Sequence, residues 1–166
     1  MQNEALSQGI HHAAYRCIDA KETVEFYRDL LGMTFTVAFA ENEVPSTGEP
    51  DQYMHVFLDA GAGNVIASLE LPNSPQMGRD QNTPEWVQHI AFKLDSLADQ
   101  TLMLARLKAA GVEVLGPVNH GIFDSIYFFD PNGHRLEFAV DKATPEQLES
   151  LKAIAEEMLE EWSTTK

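Results

Sequence analysis

Two short stretches decide the fold: Ile10-His11-His12-Ala13-Ala14-Tyr15-Arg16 near the start of the chain and Val87-Gln88-His89-Ile90-Ala91-Phe92-Lys93 near its middle. Each is brief, rich in apolar and aromatic side chains and carries a histidine at a matching place, as a pair of equivalent β-strands would. The match extends outward. After the first stretch, Asp19 and Glu22 stand as a helix-capping pair, Val24, Tyr27, Leu30 and Leu31 recur at helical spacing, and Gly32 sits where a left-handed residue ends a helix. After the second, Ser96 and Asp99 cap, Leu97, Leu104 and Leu107 mark the buried stripe, and Gly111 ends it. Three β-type segments follow in each half: Met33–Ala40, Tyr53–Asp59 and Asn64–Leu71, then Val112–Leu115, Ile122–Asp130 and His134–Val140. The expected architecture is α+β, with two βαβββ modules (9–71 and 86–140) forming a sheet-lined cavity. A proline-bearing linker (72–85) joins them. A C-terminal helical extension (141–166) starts at Thr144-Pro145-Glu146-Gln147. Its stripe of Leu148, Leu151, Ala155, Met158 and Trp162 suits either its own sheet or a second subunit.

Composition narrows the function. With 11 basic and 26 acidic residues among 166, the formal net charge is −15, so the surface repels phosphate backbones and anionic headgroups. The expected partner is a small-molecule substrate, with no nucleic acid and no membrane. No apolar run reaches the roughly 20 residues of a bilayer span, and the first residues lack signal-peptide character, which points to a cytoplasmic protein. The single cysteine, Cys17, excludes a thiolate metal cluster. A metal must use His, Asp or Glu.

Strand alternation places His12, Ala14 and Arg16 on one face and Ala13, Tyr15 and Cys17 on the other; His89, Ala91 and Lys93 repeat the first face. Two modules facing each other would bring His12 and His89 together. The segment Asp130-Pro131-Asn132-Gly133-His134-Arg135-Leu136-Glu137-Phe138 supplies a carboxylate, because Arg135 and Glu137 share the face opposite Leu136 and Phe138. Two histidines and one carboxylate with open positions form the ligand set of non-haem Fe(II) oxygenases, and Mn(II) or Zn(II) also accept it. His11 and His134 alternate away from this face. Arg16 and Lys93 occupy equivalent positions on it and are expected to give one end of the pocket positive charge for an anionic substrate group.

These features together resemble the vicinal oxygen chelate superfamily, which holds glyoxalase I, extradiol dioxygenases, epimerases and bleomycin or fosfomycin resistance proteins. The resemblance covers about residues 9–140. It rests on the paired modules, the strands at His12 and His89, the Phe26-Tyr27-Arg28-Asp29-Leu30-Leu31-Gly32-Met33 segment, and Asp130-Pro131-Asn132-Gly133 ahead of Glu137. It implies His12, His89 and Glu137 as metal ligands. A closer resemblance is to the extradiol dioxygenase signature, matched by Val118-Asn119-His120, Ile126-Tyr127, Asp130-Pro131-Asn132-Gly133 and Glu137. It implies His120 and Tyr127 beside a catechol-like substrate, with Fe(II) as the metal, although Mn, Zn, Ni or Co would fit. Two departures stand against this. The hairpin Gly61-Ala62-Gly63-Asn64-Val65-Ile66-Ala67 lacks the acid–base histidine of ring-cleaving enzymes, with His55 one strand earlier. Glu70 matches the first-module glutamate ligand of glyoxalase I, although strand parity puts Ala67, not Glu70, opposite Glu137 unless a bulge intervenes. The resemblance thus implies a metal-dependent dioxygenase, with a glyoxalase-type lyase using Glu70 as extra ligand or base, or a metal-free binding protein, as alternatives. A homodimer is expected, with modules pairing within one chain or between two.

Overall fold

The computed structural model describes residue 7 and residues 9–165. Strand β1 (His12–Cys17) leads into α1 (Ala20–Glu25), which widens into a π-helical turn at Phe26–Leu30. Asp19 caps α1 by accepting the Glu22 N–H at 2.8 Å, and Gly32 closes it at φ +83°. Strands β2 (Thr34–Glu41), β3 (Tyr53–Asp59) and β4 (Val65–Glu70) complete the first module. Its sheet runs β1-β4-β3-β2, with β1 parallel to β4.

The second module repeats this order. Strand β5 (Ile90–Lys93) precedes α2 (Leu97–Ala109), whose Ser96 cap accepts the Asp99 N–H at 3.1 Å, and β6 (Leu115–Asn119), β7 (Phe123–Phe129) and β8 (Arg135–Asp141) follow. The sheet runs β5-β8-β7-β6 with β5 parallel to β8. Strand β6 lies later than the Val112–Leu115 expected for it. It passes through Gly116-Pro117, where the β6/β7 register shifts between Leu115 and Val118, so a dipeptide that reads as a breaker is absorbed in a bulge.

The modules dock through the π-helical turn after α1 and the residues that follow it. Tyr27, Leu31 and Met33 join Leu58, Leu107, Ile126, Phe128, Leu136 and Phe138 in one core that spans both halves. The β7–β8 turn is tied to the first module. Tyr27 Oη donates to Asp130 at 3.0 Å, the Ile18 N–H donates to Asn132 Oδ1 at 2.7 Å, and His134 Nε2 meets the Arg16 carbonyl at 2.7 Å. Burial, and then Asp130, raise the Tyr27 pKa well above its ordinary value. His134 is therefore a structural contact between modules.

Cys17 faces this interior at 2% exposure, and burial pushes its pKa to about 11. At pH 8 only about a thousandth of such a thiol is thiolate. Ellman's reagent is expected to label the unfolded chain within seconds and the native chain only as fast as it opens; rapid native labelling would contradict this burial.

The extension is α3 (Pro145–Thr165), started by a reciprocal cap in which the Thr144 N–H reaches Gln147 Oε1 at 2.9 Å and the Gln147 N–H reaches Thr144 Oγ1 at 3.2 Å. None of its residues is buried. Its stripe does not pack on its own sheet: Leu148, Leu151, Met158 and Trp162 are all exposed. No helix among the described residues is long and apolar enough to cross a membrane.

Candidate metal centre

The second-module sheet turns Leu136, Phe138, Ile126 and Phe128 toward α2 and the core. The opposite face carries Glu137 and Arg135 on β8, Tyr127 and Ser125 on β7, and His89 just ahead of β5, because Ala91 and Tyr127 both register with Glu137. Here the expected residues do meet. His89 Nε2 lies 2.9 Å from Glu137 Oε2, and Glu137 is only 3% exposed. The Ser125 hydroxyl donates to the other carboxylate oxygen, and His89 Nδ1 lies 3.1 Å from the Val87 carbonyl. Because a carbonyl can only accept, that last contact suits a proton on Nδ1 and leaves Nε2 facing the carboxylate. The two atoms are close enough to ligate one metal ion side by side. Both ligands also have the supporting hydrogen bonds that orient metal-binding side chains. The donor set fits a divalent metal.

Tyr127 Oη and His120 Nε2 are 2.8 Å apart, and the His89 and Tyr127 rings meet edge to face at 5.9 Å. Burial raises the Tyr127 pKa, outweighing the lowering influence of the nearby Ser125, and the Glu137 carboxylate adds to the rise. The Tyr127 hydroxyl thus stays protonated as a donor beside the carboxylate.

His12 is elsewhere. It lies on the first-module sheet with its Nδ1 2.8 Å from His11 Nδ1 and its ring 5.9 Å from Phe57. Among the described residues no three His, Cys, Asp or Glu side chains come together, so this chain holds the His89–Glu137 pair on one sheet and His12 on the other. His55 shares the His12 face, its ring tilted against Phe57 with centroids 4.3 Å apart, and has a buried Nε2 with no hydrogen-bond partner. Burial first, and the neighbouring His12 second, hold its pKa below the usual histidine value.

Glu70 is not brought to His12. The β1/β4 register is unbroken from His12–Val65 to Cys17–Glu70, so Glu70 falls on the Cys17 face, where its Oε2 accepts the Ala20 N–H at 2.7 Å. The same register pairs Ala14 with Ala67 as Ala91 pairs with Glu137. Ala67 is therefore the counterpart of Glu137, and the first module offers no carboxylate there. The expected cationic pair also gives way. Lys93 Nζ is held by Asp141 at 2.6 Å, and Arg16 Nη2 donates to the Pro75 carbonyl at 2.6 Å, tying down the linker. The cation at the site is Arg135, whose place on the Glu137 face was legible but whose lack of partners was not.

The model of the Glyoxalase/Bleomycin resistance protein/Dioxygenase superfamily matches residues 9–138. The chain belongs to this superfamily. Biphenyl-2,3-diol 1,2-dioxygenase 3 of Rhodococcus globerulus is 37% identical over 76 residues, which cover 44% of this chain and 40% of that enzyme. The superfamily's lactoylglutathione lyase of Haemophilus influenzae is 27% identical over 140 residues, covering 81% of this chain and 94% of that one. Thus the chain spans well under half the length of the dioxygenase and nearly all of the lyase. Among solved structures, the fosfomycin resistance protein FosX of Listeria monocytogenes superposes with a TM-score of 0.59 at 24% identity, over 86% of this chain and 98% of that one, and shares the superfamily fold. Divalent-metal dependence is general in the superfamily.

Proposed function

We propose that this chain is a mononuclear metal-dependent enzyme, an extradiol-type ring-cleaving dioxygenase of a catechol-like substrate, with Fe(II) held by His12, His89 and Glu137. One observation carries the reading: His89, Glu137, Tyr127 and His120 converge on one sheet face, while Ala67 stands where a fourth ligand would be. When bound, the metal supplies a Lewis-acid centre with open positions for two neighbouring substrate oxygens. Tyr127 donates a hydrogen bond toward one of them, and His120 takes up or returns the proton through the Tyr127 hydroxyl.

Because His12 stands apart from His89 and Glu137 in the chain, the set is completed between two copies, His12 of one protomer meeting the pair of its partner in a two-fold dimer. His55 then arrives with His12 and is the candidate for the acid–base histidine missing from Gly61–Ala67. The full-length match to the lactoylglutathione lyase favours a second reading, a glyoxalase-type isomerase. Against it, Glu70 is committed to the α1 N-terminus.

Anaerobic reconstitution with Fe(II), Mn(II), Ni(II) or Zn(II), followed by O₂ uptake on a panel of catechols, decides between them. The expected result is Fe(II)-dependent uptake with a yellow ring-fission product. Turnover of a thiohemiacetal without O₂ uptake would favour the isomerase, and failure of every metal to bind would remove both.

A further inference from the structure

We infer that Arg135 is the specificity determinant of this site and selects substrates bearing a carboxylate next to their vicinal oxygens; the substrate part of this rests on the proposed function. The guanidinium of Arg135 stacks over the Tyr127 ring, its Cζ 4.5 Å from the ring centroid, and its Nε is buried with no hydrogen-bond partner. It forms no ion pair among the described residues, in a chain of net charge −15 where carboxylates outnumber cations 26 to 11. The other cations among the described residues are employed or solvated. Lys21, Arg28, Arg79, Lys93 and Lys142 pair with carboxylates, Arg16 and Arg106 donate to backbone carbonyls, and Lys108 and Lys152 lie on exposed helix surface. Among the described residues, Arg16 and Arg135 are the half-buried arginines with an unpartnered Nε, and only Arg16 has a hydrogen-bond partner for its guanidinium, the Pro75 carbonyl.

It also faces the right space. With His89 and Phe129 it lines a cavity of about 770 Å³ whose wall also includes linker residues Gly78 to Gln81 and Thr83 to Glu85. The linker's own carboxylates are taken: Glu85 by Arg79, and Asp80 by Thr83 and the Asn82 N–H. A free guanidinium fork presents two parallel donors, which match a planar carboxylate. Arg135 and Glu137 are two residues apart on one strand face, about 7 Å. That backbone spacing is comparable to the span from a ring hydroxyl oxygen to a carboxylate on the far side of the ring, so a ring chelated beside Glu137 by its hydroxyls brings a ring carboxylate toward Arg135. The Tyr127 ring under the guanidinium fills its lower face and leaves its edge for the ligand.

The test measures binding on Zn(II)-loaded protein, which cannot turn over a catechol by redox chemistry, and on metal-free protein. With the zinc form, 3,4-dihydroxybenzoate is expected to bind at least about tenfold more tightly than 4-methylcatechol. In Arg135→Gln that preference falls to near one, while 4-methylcatechol affinity and thermal stability hold; in Arg135→Lys part of the preference returns. On metal-free protein, benzoate should protect the Arg135 side-chain NMR signals in wild type, which tests the anion site separately from the metal reading. Loss of catechol binding with benzoate binding retained would overturn the dioxygenase reading alone. An unchanged preference in Arg135→Gln, with no benzoate effect, would overturn this inference.

Discussion

Glu137→Gln is expected to leave the fold intact and to lower divalent-metal affinity by more than about a hundredfold, since loss of even an outer hydrogen-bond partner of a ligand costs ten- to a hundredfold. Turnover should fall by at least about a thousandfold, because Lewis-acid stabilisation supplies several kcal/mol of the barrier reduction. The reasoning starts from burial. Glu137 is 3% exposed, with one oxygen held by Ser125 and the other 2.9 Å from His89 Nε2. A carboxylate so enclosed is costly unless a cation balances it. Gln keeps the size and the hydrogen bond to Ser125 but brings no charge. Ser125→Ala is the graded partner of this change: the ligand remains and its orientation is lost, so metal affinity should fall by about ten- to a hundredfold. Metal content by inductively coupled plasma spectrometry and competition with a chelating dye read both effects. If Glu137→Gln retained one metal per chain at wild-type affinity, Glu137 would not be a ligand.

Local rules made much of this molecule legible before its structure. The caps at Asp19, Ser96 and Thr144 each need only a side-chain acceptor three residues before an N–H, and all three form. Alternation along β8 put Arg135 and Glu137 on one face and Leu136 and Phe138 in the core, as found. Parity also placed Glu70 away from His12, and the unbroken β1/β4 register leaves no bulge to reverse it. What sequence could not supply was long-range docking. Tyr27 to Asp130, Ile18 to Asn132 and His134 to Arg16 are contacts between residues far apart in the chain. They fix the modules with the His12 face apart from the His89 face. The pairing of cations fails to read out for the same reason: Lys93 and Arg135 share a face, but only the structure shows Lys93 ion-paired with Asp141 and Arg135 without an ion pair among the described residues. The stripe on α3 had the periodicity of a buried face, yet periodicity does not say which surface covers it, and among the described residues none does.

Mixing two inactive variants is expected to restore activity. His12→Ala alone and Glu137→Gln alone each disable both sites of a homodimer if each site takes His12 from one protomer and His89 with Glu137 from the other. In the mixed dimer the defects fall together in one site, and the second site holds an intact His12 from the Glu137→Gln chain and an intact His89–Glu137 pair from the His12→Ala chain. Random reassortment makes half the dimers mixed, so about a quarter of all sites should bind metal and turn over. The starting point is near zero, which makes the expected gain large and the readout free of small differences. The geometry behind it is the absence, among the described residues, of any three-residue His, Cys, Asp or Glu cluster, alongside a His89–Glu137 pair already formed. A site assembled within one chain predicts no recovery at any mixing ratio, because every chain then carries its own defect. Equilibrating the two variants through mild denaturant, with size-exclusion chromatography to confirm the dimers and metal analysis to count the sites, separates these outcomes.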